Sequence, residues 1–243
     1  MNLDERWQRW TERFAQAERD IRDLFHNRHV WVALTRMWDE TAAEIELNTI
    51  VRNWHIRLYV TTQVTGIRRE CDPGTTTSSL LNCLQELTKF PSMMDRARFE
   101  ANVDANPEIA NEFKAVNKRK FDQFATSTTS GELDVTKIDA DIERLKGAAE
   151  AARRYMNKIV GHREFPPKPI TLSWADLDGA LNMVGIVQKR YYSLWNAAVI
   201  KGNLTPELPA GWEHPYRFAW RPTHFEVPRA RPLDEYVTPQ EGI

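Results

Sequence analysis

Tyr59-Val60-Thr61-Thr62-Gln63-Val64-Thr65 is the stretch on which the fold turns. Its β-branched residues and its tyrosine favour a pleated backbone. A strand needs a partner, because an unpaired one leaves its N–H and C=O groups without hydrogen bonds. No second strand-like run occurs to pair with it. Residues 48–72 therefore read as a helix ending at Asp72-Pro73-Gly74, and the chain reads as all-α.

The flanking segments carry helical spacing. Leu3, Trp7, Trp10, Phe14, Ala17, Ile21 and Leu24 alternate steps of four and three, which lines them along one stripe. Residues 26–29 read as a break, after which Trp31, Leu34, Trp38, Thr41 and Ile45 restart the pattern. Thr75 to Ser79 is a hydroxyl-rich helix start, followed by Leu80, Leu81, Leu84 and Leu87 and a stop before Pro91. Asn106-Pro107-Glu108 has the form of an N-cap with a first-turn proline, and Ile109, Phe113, Val116 and Phe124 are expected to share one face. Residues 127–131 read as a loop.

The cleanest stripe is Ile138, Ile142, Leu145, Ala149, Ala152, Met156 and Ile159, ending near Gly161-His162 because Pro166-Pro167 forbids continuation. Ser173-Trp174-Ala175-Asp176 resembles a capping box. It opens a last helix through Trp174, Leu177, Leu181, Val184, Tyr191, Leu194 and Trp195 to about Lys201. The expected organisation is a helical domain over residues 1–202 and a proline- and aromatic-rich extended arm over 203–243, which holds seven of the 13 prolines. Trp212, Phe218 and Trp220 of that arm are expected to pack on the bundle.

Composition narrows the function classes. The 33 Lys+Arg balance 34 Asp+Glu to a net charge of −1, so any nucleic-acid contact must use a local patch. No apolar run approaches the roughly 18 residues of a membrane span. Met1 leads directly into charged residues, and a cytoplasmic protein without a secretory signal is the expectation. Cys71 and Cys83 stand twelve apart, in no metal-like pattern, and read as buried side chains in a reducing compartment. His26 and His29 lack companions for a metal set. Neither a metal nor a cofactor is expected. Trp7 and Trp10 read as core.

His162 is the candidate for proton transfer at neutral pH, since imidazole titrates near that range. On a continuous α-helix, Lys158 lies about 40° and Tyr155 about 20° from it, Arg154 about 80°, and Arg153 about 180°. Arg154, Asn157, Lys158 and Arg163 complete the candidate catalytic set, with a long guanidinium able to hold a phosphate. Lys114, Lys118, Arg119 and Lys120 form a basic run on one helix that is a candidate for RNA backbone contact or a solvated face.

Tyr155-Met156-Asn157-Lys158-Ile159-Val160-Gly161-His162-Arg163-Glu164 resembles the signature of HEPN domains. Ile67-Arg68-Arg69-Glu70-Cys71-Asp72, followed by Ser78-Ser79-Leu80-Leu81, resembles the AbiU-type abortive-infection branch of that superfamily. The resemblance covers about residues 1–200. It implies an all-α, HEPN-like dimeric bundle and a metal-independent endoribonuclease of the toxin or phage-defence kind. In such enzymes His handles a proton and Arg steadies the phosphate. It further implies RNA as substrate, a homodimer, and a cognate antitoxin or regulatory protein as partner, and it draws Arg68 and Arg69 into the candidate RNA-contact set. The family's Arg falls four to six residues before His, where this chain has Tyr155, Met156 and Asn157. Arg154, Lys158 or Arg163 substitutes for it, or the module is catalytically degenerate and binds RNA or a protein.

Overall fold

The computed structural model describes residues 2–41, 49–74, 77–161 and 171–196, together with Leu204, Leu208 and Ala210. Helices α1 (Leu3–Thr41) and α2 (Thr49–Glu70) come first, and α3 (Leu80–Lys89) follows. A 3₁₀ turn (Pro91–Met93), α4 (Arg96–Ala105), α5 (Asn111–Lys118) and a second 3₁₀ turn (Arg119–Gln123) form a side layer. α6 (Val135–Tyr155) passes into a π-helical segment (Met156–Gly161), and α7 (Trp174–Asn196) completes the described bundle. Among the described residues the fold is all-α. Extended pairing is limited to an isolated bridge between Ala125 and Leu133, which closes the loop across 127–131.

α1, α2, α6 and α7 pack on one another, with α3 wedged against α1 and α6. Their stripes meet in one core, in which Trp10, Phe14, Ile21, Val64, Ile67, Leu145, Val184 and Tyr191 are fully buried. Segment 59–65 is helical as expected: Tyr59, Gln63 and Val64 turn inward, and burial in a helical neighbourhood outweighs local strand propensity. Two glycines let α1 approach closely. A Cβ at Gly66 would sit 2.3 Å from Leu24 Cδ2, and one at Gly185 would sit 2.5 Å from Phe25 Cζ. Asp141, buried at 3% exposure, ties α6 to α7. It accepts from Arg190 Nη1 at 2.6 Å and from the Tyr191 hydroxyl at 3.2 Å.

Several sequence expectations change. The break at residues 26–29 does not occur, and α1 runs unbroken. The segment contains neither Gly nor Pro, and α7 holds it from the side: Arg28 donates to Asn182 Oδ1 at 2.8 Å and pairs with Asp178 at 3.0 Å. Asn106-Pro107-Glu108 does not open a helix. Asn106 caps the C-terminus of α4, and its side chain accepts from Glu108 N at 2.9 Å while donating to Asn196 O at 2.9 Å. α5 begins later, at Asn111, so Phe113 and Val116 fall on its outer face, each 56% exposed. Leu3 and Trp174, assigned to buried stripes, lie at helix starts and stay 42% and 49% exposed. α4 follows a run with few apolar residues: Phe99 and Val103 are its buried pair, and Asp95 caps it by accepting from Arg98 N at 2.7 Å. Of the arm, Leu204 is buried, next to Gly185. Trp212, Phe218 and Trp220 lie outside the described residues.

Candidate functional site

α6 starts at Asp134, whose carboxylate accepts from Thr136 N at 3.0 Å and from the Thr136 hydroxyl at 2.6 Å. Its apolar stripe is buried as far as Ala152. At Met156 the winding changes to π, which bonds each residue to one five away and turns less per residue than an α-helix. The angular placement of Asn157 and Lys158 drawn for a continuous α-helix is therefore superseded. Tyr155 and Met156 rest partly buried on the core. The Thr65 hydroxyl of α2 donates to Met156 Sδ at 3.6 Å, so the end of α6 is seated against α2.

The cations of this end are partly engaged. Arg153 donates twice to Glu150 Oε2, at 3.0 and 2.7 Å. Arg154 reaches the other oxygen of Glu150 at 3.7 Å, with 64% of its side chain exposed. Asn157 is exposed and Lys158 half-buried. His162 and Arg163 lie outside the described residues. α7 starts close by, with a reciprocal capping box as the sequence predicts: Ser173 N donates to Asp176 Oδ2 at 3.1 Å, and Asp176 N donates to Ser173 Oγ at 3.1 Å. The Ser173 hydroxyl holds the Asp176 carboxyl below its ordinary range, and the charge of Arg154 adds to this. That coupling brings the α6 end and the α7 start into one neighbourhood.

The remaining basic candidates are elsewhere. The run Lys114, Lys118, Arg119 and Lys120 does not sit on one helix, because α5 ends at Lys118 and the last two residues are in a 3₁₀ turn. Lys114 Nζ donates to Asp104 O at 2.7 Å, and Lys118 Nζ meets Asp104 Oδ2 at 2.7 Å. Lys120 donates to Asn117 Oδ1, while Arg119 is exposed. Lys114 and Lys118 fasten α5 to α4. Arg69 pairs with Asp20 at 3.2 Å, whereas Arg68 is exposed one helical turn beyond Thr65.

Glu70 ends α2 inside the protein, with no exposed surface. Its Oε2 accepts from Leu80 N at 3.1 Å, so it caps α3 together with Ser79, which accepts from Asn82 N at 3.2 Å. Its Oε1 has no hydrogen-bond partner and lies 3.5 Å from Arg69 Nε. Burial pushes its carboxyl up to about 7, against the opposing pull of the Leu80 amide and Arg69. Cys71 and Cys83 are buried, as expected, and burial pushes the Cys71 thiol up to about 12. Trp10 is also core, donating from Nε1 to Cys83 O at 2.8 Å. Among the described residues, no three His, Cys, Asp or Glu side chains gather as a metal set, and no helix is long and apolar enough to cross a membrane.

Sequence spacing did not reveal an aromatic stack drawn from three helices. Trp31 of α1 stacks on Tyr59 of α2 at 4.8 Å and on Trp174 of α7 at 5.9 Å, with interplanar angles of 11° and 18°. Trp31 and Trp174 each stood out within their own stripe, but periodicity within one helix says nothing of contacts between helices. The stack adjoins the capping box and hence the Arg154 neighbourhood. Comparisons with family models, curated proteins and solved structures give no match to this chain.

Proposed function

We propose that the chain is an RNA-acting protein of the HEPN type, with its site at the α6 terminus and the sequence that continues into His162. Arg154 carries this reading: it is largely exposed, loosely held by Glu150, and close enough to the α7 start to act on Asp176. A guanidinium so placed is available to a phosphate. In this reading His162 moves the proton of the 2′-hydroxyl or of the leaving group, while Arg154 and Lys158 stabilise the phosphate. The reaction is metal-independent endonucleolytic cleavage.

A second reading is a degenerate module that binds RNA or a protein without cleaving. It is favoured by Tyr155 and Met156, which stand where the family's Arg falls and rest against the core. A lost phosphate-stabilising cation costs about 10²–10³ in rate.

The test is incubation of the purified chain with RNA in excess chelator. Cleavage is expected, with His162→Ala abolishing it and retaining the wild-type helical spectrum. Arg154→Ala should weaken cleavage more than Arg153→Ala, because Arg153 is held by two hydrogen bonds to Glu150. Equal inertness of wild type and His162→Ala, with RNA still bound, replaces the enzyme by the binding module. Absence of both binding and cleavage refutes the RNA reading.

A further inference from the structure

Helix α2 turns towards solvent a face that the bundle engages at one end, where Thr65 bonds Met156. Trp54, Arg57, Leu58, Thr61, Thr65 and Arg68 are all exposed. At about 100° per residue they fall within an arc of roughly 100° and span about 21 Å of the axis. Two features distinguish this face from an ordinary solvated one. Trp54 leaves 56% of its surface accessible and Leu58 46%, although a large ring gains by burial. Moreover, α2 has no Asp or Glu before Glu70, which is wholly buried. Among the described residues, α2's ion pairs are made by its flanking arginines: Asp39 of α1 lies 3.8 Å from Arg52, while Asp20 of α1 and the buried Glu70 lie 3.2 and 3.5 Å from Arg69.

A hollow of about 180 Å³ opens beside Leu58, walled by Trp31, His55, Leu58 and Tyr59. Three flat rings, Trp31, His55 and Tyr59, share its walls with the aliphatic Val30, Leu34 and Leu58, and the rings offer faces to a planar heterocycle. The combination of an exposed indole, exposed cations and the Thr61 hydroxyl matches a chain that alternates π-faces with anions. It matches a second protein surface less well, since Leu58 is the one aliphatic side chain among the six.

We propose that this face is a track for single-stranded RNA. Trp54 stacks an unpaired base, Arg57 and Arg68 hold flanking phosphates, and the Thr61 hydroxyl donates to a backbone oxygen between them. The inference rests on the RNA-acting reading and gives it a substrate class, unpaired RNA. The track leads to the α6 terminus, because Thr65 touches Met156 there.

The experiment is fluorescence anisotropy of the full chain with a short fluorescein-labelled single-stranded RNA and with the same sequence as a duplex, across a salt series. The single strand should bind more tightly. Trp54→Ala should weaken it about ten-fold or more, and Trp54→Phe should restore most of the loss. Arg57→Ala and Arg68→Ala should each lower the slope of log K against log salt by about 0.7. Lys146→Ala, on the exposed side of α6, should change nothing. Duplex binding as tight as single-strand binding overturns the track, as does full affinity in Trp54→Ala and Arg57→Ala, and either result leaves the RNA-acting reading standing. If Trp54→Ala instead converts a dimer to a monomer by light scattering without affecting RNA, the face is a self-interface and the proposal fails. No RNA binding by wild type removes the underlying reading as well.

Discussion

Replacing Glu70 by Gln should flatten the pH dependence of stability. The folded carboxyl titrates near 7 and the unfolded one near 4.5, so between these values the folded state holds a proton that the unfolded state has lost. A raised acid pKa makes the folded state progressively less favourable as pH climbs through that window. The full gap corresponds to about 3 kcal/mol at about 1.4 kcal/mol per pH unit. Between pH 5 and 8, where most of the titration falls, this group should remove about 2–3 kcal/mol from the wild type. Gln keeps the carbonyl that accepts from Leu80 N but has nothing to ionise. Its amide sets any constant cost against Arg69, and that cost is the same at both pH values. The stability difference between Glu70→Gln and wild type should therefore move in favour of the variant by about 2–3 kcal/mol from pH 5 to pH 8. In melting temperature this is roughly 5–10 °C for a chain of this size. Urea denaturation of both proteins at the two pH values measures it, and the shared titration of the histidines cancels in the double difference. A variant-minus-wild-type difference that stays constant with pH would refute the argument that burial dominates this carboxyl.

Two other outcomes follow from the packing. Gly66→Ala should destabilise by about 1 kcal/mol, because the clash with Leu24 costs about 1–3 kcal/mol and helix propensity returns about 1. Gly147→Ala, on the exposed side of α6 with nothing within 4 Å, should stabilise by about 0.5–1 kcal/mol. A calorimetric scan in which the two shift Tm in the same direction would contradict the close approach of α1 and α2. Asp141→Asn should cost about 3 kcal/mol by stranding Arg190. The double variant with Arg190→Met should recover most of this in urea denaturation, and a loss below about 1 kcal/mol in the single variant would show that the pair is dispensable.

Most of the helical frame was legible because its cause is local. The stripe from Ile138 to Ala152 and the Ser173–Asp176 box are written in spacing and hydroxyl chemistry, and both form. Segment 59–65 was legible only by elimination, since propensity pointed the other way. α4 was not legible: Phe99 and Val103 are too sparse to show a period, and Asn106, which resembles a helix start, ends that helix instead. Residues 26–29 looked like a break, yet α7 holds Arg28 from a distance in sequence of about 150 residues. At the candidate site, Arg154, Asn157 and Lys158 are picked out in the sequence by their distance from His162. The π-winding at Met156, the influence of Arg154's charge on Asp176 at the α7 start, and the Trp31–Tyr59–Trp174 stack could not be. Each depends on which helices become neighbours.

The unbroken α1 has a consequence for how the molecule opens. Its 39 residues make a rod of about 58 Å, longer than the span of a compact body whose radius of gyration is about 18 Å. The inner part, from Trp10 to Leu24, belongs to the main core, whereas Leu34, Met37 and Trp38 form a small cluster of their own. One helix thus spans a gradient of opening free energy, low at its outer end and close to the global value near the Gly66 and Gly185 contacts. His55 packs edge-on against Trp38 of that outer end, and Trp54 packs in turn against His55. The Trp54 end of the exposed face of α2 is therefore mounted on the part of the molecule that can rearrange without melting the rest, while its Thr65 end rests on the main core.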